Sequence, residues 1–369
     1  MNEPIFIARQ DTLEQEILPA HWLAQYKLFG EESYTFQDKG IWKKLCMSRA
    51  AANDRDMHAE ALEEMLTTFS AEHTGKWMLL VYGTDAAALE GLATMAAIAA
   101  NGTAMGAIVD NALLMHAIAN SETAMQRIAN SQTAMQRVAN NRGAMDAIGR
   151  SRIARDAVQA SPYYNSCIKE NDMAIAKLAV ALANLESAGY SGMAGVAADS
   201  TAMTAVAASA TAMTAVAASS TAMTAVAASG VALKAIAQAY KKTANMLQFL
   251  KAVNASDTLV KRIYSTLTGA TGLFGATQLG SQDGVESANS WATTSAAPNA
   301  FLACACGYYD SSRSSVNVTY NGTVIAENKT GAKQPGSVTS TNVNAITMAP
   351  STFTENGDGW LAVQKFTAK

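Results

Sequence analysis

Large apolar residues recur in pairs three positions apart, once every ten residues, through the middle of the chain. The pairs are Met95/Ile98, Met105/Ile108, Met115/Ile118, Met125/Ile128, Met135/Val138 and Met145/Ile148. The phase slips between Leu178 and Met193. It resumes at Met193/Val196, Met203/Val206, Met213/Val216, Met223/Val226 and Leu233/Ile236. Alanine and small polar residues fill the spaces, as in "SETAMQRIAN" (121–130) and "SQTAMQRVAN" (131–140), and "STAMTAVAAS" is repeated almost letter for letter from 200 to 229. Self-similarity at a fixed period marks a repeat array, in which each unit touches mainly its neighbours.

Ten residues of α-helix turn through about 1000°, some 80° short of three full turns. A methionine every ten positions on one straight helix would therefore circle the axis and keep to no single face. Two arrangements avoid this. In the first, the helix breaks in every unit. Asn120, Asn130 and Asn140 would be left-handed C-caps, followed by Ser121, Ser131 and Asn141 as N-caps. In the second, the helix is an overwound coiled coil with a seam through 203, 206, 210, 213, 216 and 220. That seam places Glu122, Gln132 and Arg142 inside the upstream part, so short broken helices fit better. The stalk core would comprise Met105, Ile108, Met125, Ile128, Met135, Val138, Met203, Val206, Met213, Val216, Met223 and Val226. Short helices are marginal alone, and alanine offers little area at about 25 cal/mol per Å². Sister chains would then complete the core, and closed cyclic symmetry gives the expectation of an elongated homotrimer.

The flanks use other alphabets. Residues 1–88 are rich in aromatics, and "SRAAANDRDMHAEALEEMLTTF" (48–69) has Met57, Leu62, Met65 and Leu66 at helical spacing. "KWMLLVY" (76–82) reads as a buried strand or the last turn of a buried helix. Residues 241–268 read as helix. From 269 onward Gly, Ser, Asn and Thr dominate, and "SVNVTYNGTVIAEN" (315–328) is a hairpin with a type I′ turn at Asn321-Gly322. Segments 299–309, 341–348 and 359–367 are further strand candidates. The expected fold is multidomain. An α-rich (α+β) globular domain (1–88) precedes a ten-residue helical repeat stalk (89–240), a helical connector (241–268) and a C-terminal all-β sandwich or jelly-roll-like domain (269–369).

Composition narrows the chemistry. The net charge of −3 is unevenly spread: residues 1–90 hold 8 Lys/Arg against 15 Asp/Glu, and residues 91–270 hold 14 against 9. No basic cluster with interleaved aromatics points to nucleic acid. The uncharged run 200–233 is long enough for a membrane span, but its Ala, Thr and Ser are too weakly apolar, so no membrane insertion is expected. The N-terminus has no basic n-region before an apolar run, so no secretory signal is expected. The cysteines (46, 167, 304, 306) form no CxxC pair and read as buried thiols. His21, His58, His73 and His116 match no metal-ligand spacing. Asp283 and Glu286 in "SQDGVES" read as surface acids. No nucleophile has an identifiable base. The expectation is a non-enzymatic protein with no cofactor and no metal.

The decapeptide words "TAMTAVAAS" and "SETAMQRIAN", set between an aromatic N-terminal segment and a terminal β domain, resemble the repeats of tail-fibre and related virion-fibre proteins of tailed bacteriophages. That resemblance implies a virion protein assembled in the host cytoplasm. Its N-terminal part would dock to other virion proteins, and its distal β domain would recognise a host surface glycan or protein. On the β domain, "GYYDSSRSS" (307–315) supplies aromatics for stacking on a sugar and polar groups for hydrogen bonds. Tyr308, Tyr309, Asp310 and Arg313 are the receptor-binding candidates, with Ser311, Ser312, Trp291 and Trp360 beside them; Trp360 fits core packing better. A connector or capsid-decorating head fibre without receptor binding is the alternative. A bacterial adhesin and a threonine-row ice binder are further classes.

Overall fold

The computed structural model describes residues 91–282, 290–293, 299–308, 315–329, 337–348, 351–356 and 359–369, with scattered positions from 59 to 89. The chain divides into two compact units, Met1–Ile168 and Lys169–Lys369.

In the first unit each ten-residue word is one short helix. These are α1 (Met95–Ala100), α2 (Gly102–Asp110), α3 (Ala112–Ala119), α4 (Glu122–Ala129), α5 (Gln132–Ala139), α6 (Arg142–Arg150) and α7 (Arg152–Ala160). One or two non-helical residues separate neighbours, and the axis turns by 102° from α2 to α3. Every helix packs on the third one along: α4 on α1, α5 on α2, α6 on α3 and α7 on α4. The array is therefore a three-sided coil with one decapeptide per side.

The geometry explains the period. Counting from each N-cap as zero, positions 3, 4, 7 and 8 lie on one face of a helix, and in α4 these are Ala124, Met125, Ile128 and Ala129, all buried. The outward positions hold Glu122, Gln126 and Arg127, all exposed. Each corner resets the phase, so the 80° shortfall never accumulates. All twelve methionine, isoleucine and valine positions expected in the stalk core are buried, at 1% exposure or less. Glu122, Gln132 and Arg142, which a coiled-coil seam would bury, are exposed. The helices are broken, not overwound.

Two expectations need correction. Asn120, Asn130 and Asn140 are not left-handed C-caps: their φ values are −102°, −90° and −92°. The next residue must already be an extended N-cap, so the corner is made by one ordinary backbone residue and one extended one. The second correction concerns the source of the core. The stacking neighbours are coils of the same chain, so the shortage of apolar area that pointed to sister chains does not arise.

The second unit repeats the arrangement. Its helices are α8 (Asp172–Leu182), α9 (Met193–Ala198), α10 (Ser200–Ala208), α11 (Ala210–Ala218), α12 (Ser220–Ala227), α13 (Gly230–Gln238), α14 (Thr243–Asn254) and α15 (Asp257–Gly269). Again each packs on the third along, α11 on α8 through α15 on α12. The segment 241–268, expected as a connector, thus forms the last two sides of the coil. The phase slip is an eleven-residue helix, α8, followed by an inserted loop over 183–192 with Asn184 at φ 60°. The long uncharged run 200–233 is cut into α10–α13, and no single helix among the described residues is long and apolar enough to cross a membrane.

Eight strands follow: β1 (Phe274–Gln282), β2 (Ser290–Thr293), β3 (Ala300–Tyr308), β4 (Ser315–Tyr320), β5 (Thr323–Lys329), β6 (Ala345–Met348), β7 (Ser351–Asn356) and β8 (Gly359–Ala368). They make two antiparallel four-stranded sheets, ordered β1-β8-β3-β6 and β2-β7-β4-β5. First pairs with last, second with seventh, third with sixth and fourth with fifth, as in one long hairpin rolled up. The β4–β5 turn has Asn321 at φ 46° and Gly322 at φ 78°, the two positive values a type I′ turn requires. Val316, Val318 and Tyr320 alternate inward along β4.

Sheet β1-β8-β3-β6 is covered on both faces. One faces the other sheet, and the opposite face lies on the top coil, where α13 meets β3 and β8 and α14 and α15 meet β6. Phe301 of β3 packs on Phe249 of α14 with ring centroids 6.3 Å apart, and Phe366 of β8 meets Tyr264 of α15 edge-on at 5.7 Å. One continuous apolar core runs from Ile175 to Phe366. Repeat arrays need a cap where the stacking stops, and here the sandwich supplies it.

Candidate functional site

The polar groups that define this protein sit at the corners of the coil. Ser131 Oγ donates to the carbonyl of Ala99 at 2.6 Å, Ser151 Oγ to Ala119 at 2.5 Å, Ser161 Oγ to Ala129 at 2.5 Å and Ser229 Oγ to Ala197 at 2.5 Å, each spanning 32 residues. Three of the same oxygens accept the N–H three residues on in their own helix, as Ser131 does from Ala134, Ser151 from Ala154 and Ser229 from Ala232. A corner serine therefore caps its own helix and fastens it to the coil before. Aspartate or asparagine caps equally well at an isolated N-terminus, but an ionised aspartate has no proton to give.

That requirement yields a test. Ser151 is 2% exposed. Ser151→Ala leaves the buried Ala119 carbonyl and Ala154 N–H unpaired and should cost about 1–3 kcal/mol. Ser151→Asp should be worse than alanine, because it sets a carboxylate against a carbonyl oxygen. Denaturant titration of the three proteins checks this; aspartate matching serine would reduce the corner to a simple cap.

Where the donor role is not taken by a serine, another group enters. Asn141 caps α6 through Oδ1 and donates Nδ2 to Asp110 at 2.8 Å. Asp199 caps α10 and receives the hydroxyl of Tyr190 at 2.8 Å. The N–H of Ala202, the Tyr190 hydroxyl and the N–H of Thr201 hold the Asp199 carboxyl below its usual range. Burial first, and then Asp199, push the Tyr190 hydroxyl up. Glu170 accepts the N–H and hydroxyl of both Ser220 and Thr221 at the start of α12. Partial desolvation raises its pKa, but these four bonds outweigh it and the net direction is down.

The inserted loop is fastened from below. Lys177, fully buried in α8, donates Nζ to the carbonyl of Ser187 at 3.0 Å. Asp172 accepts the N–H of Met193 at 2.9 Å and so caps α9, whose own N-cap, Gly192, has no side chain. A Cβ at Gly192 would collide with that carboxylate and push it off its place, so glycine there leaves room for the Asp172 cap.

The seam under the sandwich has its own polar fastening. Asn254, buried at the end of α14, donates to the carbonyl of Ile346 at 2.7 Å and accepts its N–H at 3.1 Å. Its amide plays the part of another strand at the edge strand β6, and so closes an edge that would otherwise invite pairing. Tyr264 donates to the carbonyl of Val338 and meets Gln364 Oε1 at 2.9 Å, and Tyr320 bonds Thr243. Burial raises the pKa of both tyrosines. Periodicity gives no sign of Lys177, Asn254 or Tyr264, because each depends on a partner distant in the chain.

Tyr309, Asp310 and Arg313 lie outside the described residues, as do Ser311 and Ser312. Tyr308 is the last residue of β3, opposite Gly359 of β8. Trp291 lies in β2 and Trp360 in β8. The backbone register gathers Gln282, Ser290, Tyr308, Ser315, Lys329, Asn356 and Gly359 at one end of the sandwich. Residues 1–58, with most of the expected docking domain and with His21 and His58, are also outside, as is His73; Leu62 and Met78 are helical and buried. Cys167 and Cys304 are buried. Among the described residues no His, Cys, Asp or Glu cluster could hold a metal ion.

The threonine rows do not form one surface. α10, α11 and α12 stand on three different sides of the coil. The helix stacked on α10 is α13, which has Val231 and Lys234 where α10 has Thr201 and Thr204. This removes the basis for an ice-binding plane. No protein-family model matches the chain, and no curated protein matches it.

Proposed function

We propose that this protein is a structural virion fibre of a tailed bacteriophage, in which the coil is a spacer and the sandwich a recognition head. One observation carries the reading: a repetitive coil with a self-contained core ends in a β-sandwich seated directly on its last sides. A spacer needs length without chemistry, and the outward positions of the coil are mostly polar, such as Glu122, Gln126 and Arg127 on α4 and Ser200, Thr201 and Thr204 on α10. We read the sandwich as a jelly roll, since the pairing of first strand with last and fourth with fifth is what two Greek keys over eight strands produce. That architecture serves both capsid and lectin domains. Connecting segments on a rigid sheet scaffold are where binding groups concentrate, and the segment carrying Tyr309, Asp310 and Arg313 joins strand ends at the end described above.

Residues 1–88 would dock to the particle. Each coil closes its own core, so we place any self-association, including a homotrimer, on the sandwich or on residues 1–88. The alternative, a connector or head decoration without a receptor, draws on the same seam, because a sandwich that caps a coil has a structural task already.

The two are separated with the full chain. Labelled protein is incubated with the bacterium on which the phage grows, and Tyr309→Ala/Arg313→Ala is compared with wild type. Recognition at this end predicts at least a tenfold loss of attachment with an unchanged circular dichroism spectrum. Full attachment of the variant would move the site, and no attachment by wild type would favour the decoration.

A further inference from the structure

We propose that residues 200–229 are a ratchet of interchangeable sides. Each decapeptide carries the sandwich around by one corner, and three carry it up by one coil on the same side. α10, α11 and α12 share three buried positions: Ala202, Met203 and Val206; Ala212, Met213 and Val216; Ala222, Met223 and Val226. At the eighth position Ala207 and Ala227 are buried and Ala217 is half-buried. Their corners share one conformation, with Ser209 at φ −96°, ψ 120° and Ser219 at φ −96°, ψ 123°.

What docks the top coil onto this block is also generic. Asn245 Nδ2 of α14 donates to the carbonyl of Ala207, and Thr266 of α15 to that of Ala227. The position equivalent to both in the middle repeat is Ala217, again alanine. The contacts specific to one place, Tyr190 to Asp199 and Glu170 to Ser220 and Thr221, lie before Ser229. A repeat inserted after Ser229 leaves them untouched.

With one added repeat, α13 rests on α11, α14 on α12 and α15 on the newcomer. Each seat presents the side chains that the native seat presents. The axis turns by 102° from α10 to α11 and by 96° from α12 to α13, so the sandwich moves to the next side. With three added repeats it returns to its original side, one helix layer further on, about 8–10 Å. The number of repeats thus fixes both reach and facing, whatever the sandwich recognises.

The test inserts one or three copies of STAMTAVAAS after Ser229 in the full chain, with a five-residue insertion as control. Spin labels on genetically encoded handles at Ala194 and Thr204, each paired with Glu327, report two distances. One and three copies should leave the thermal midpoint within ~3 °C of wild type, whereas five residues should lower it by ~5 °C or more. Three copies should lengthen both distances by what a shift of about 8–10 Å along the coil axis gives; one copy should depart from that axial shift and change the difference by swinging the label to the next side. The idea fails if one copy destabilises like the five-residue control, or if one copy leaves the difference unaltered.

Discussion

Met125→Asp combined with Met135→Asp will unfold the coil α1–α7, while Gln126→Asp with Gln136→Asp will leave it folded. Both methionines are fully buried and both glutamines exposed, although they are neighbours in sequence. Met125 and Met135 sit at position 4 of consecutive sides, α4 and α5, with only Ala, Ile, Val and Met at the other inward positions of those helices. A carboxylate there has no partner, and an uncompensated buried charge costs about 3–5 kcal/mol. Two such costs approach the whole stability of a domain, about 5–15 kcal/mol. Met→Leu at the same positions keeps volume and should cost less than about 1.5 kcal/mol. Thermal melts followed at 222 nm distinguish the three variants. Equal behaviour of the methionine and glutamine pairs would refute the inward assignment.

Truncation after Thr268 will have the second large effect. Taken as a boundary between connector and β domain, that position invites a clean cut. The structure shows that the cut divides one core: Phe249, Leu250, Val253, Ile263 and Tyr264 are buried with Phe301, Ile346 and Phe366 in the same cluster. Side chains of this size are stabilised by about 1.5–3 kcal/mol each on full burial, and Asn254 would lose its partners on Ile346. The truncated chain should expose an apolar face on α13–α15, bind a hydrophobic dye and self-associate. Its amides over 246–267 should exchange far faster than in the full chain. Unaltered protection of those amides would show that the sandwich is only tethered. For the same reason, attachment assays belong on the full chain and not on residues 271–369 alone.

Much of the array was legible in the sequence because its determinants are local. A methionine and an isoleucine or valine three apart, with alanine beside each, specify one helical face within a single ten-residue word. Serine or asparagine at the word boundary specifies a helix start. The type I′ turn at Asn321-Gly322 was legible for the same reason, since positive φ at two successive residues selects those residue types.

Tertiary structure alone decided what the faces meet. Burial of Met125 needs only an apolar neighbour, and neither composition nor period says whether it comes from a sister chain or from α1 and α7 of the same chain. The 32-residue bond from Ser151 to Ala119 settles that, and it is invisible locally because a capping serine reads the same with or without a carbonyl behind it. Lys177 and Asn254 look like surface residues in sequence, since their burial depends on the carbonyl of Ser187 and the backbone of Ile346. The seating of the sandwich on the last coil was hidden as well: Phe249 and Phe301 are each unremarkable apolar residues in their own elements. Local pattern fixes the direction in which a side chain faces, and only the closed coil and the rolled hairpin determine what it meets there.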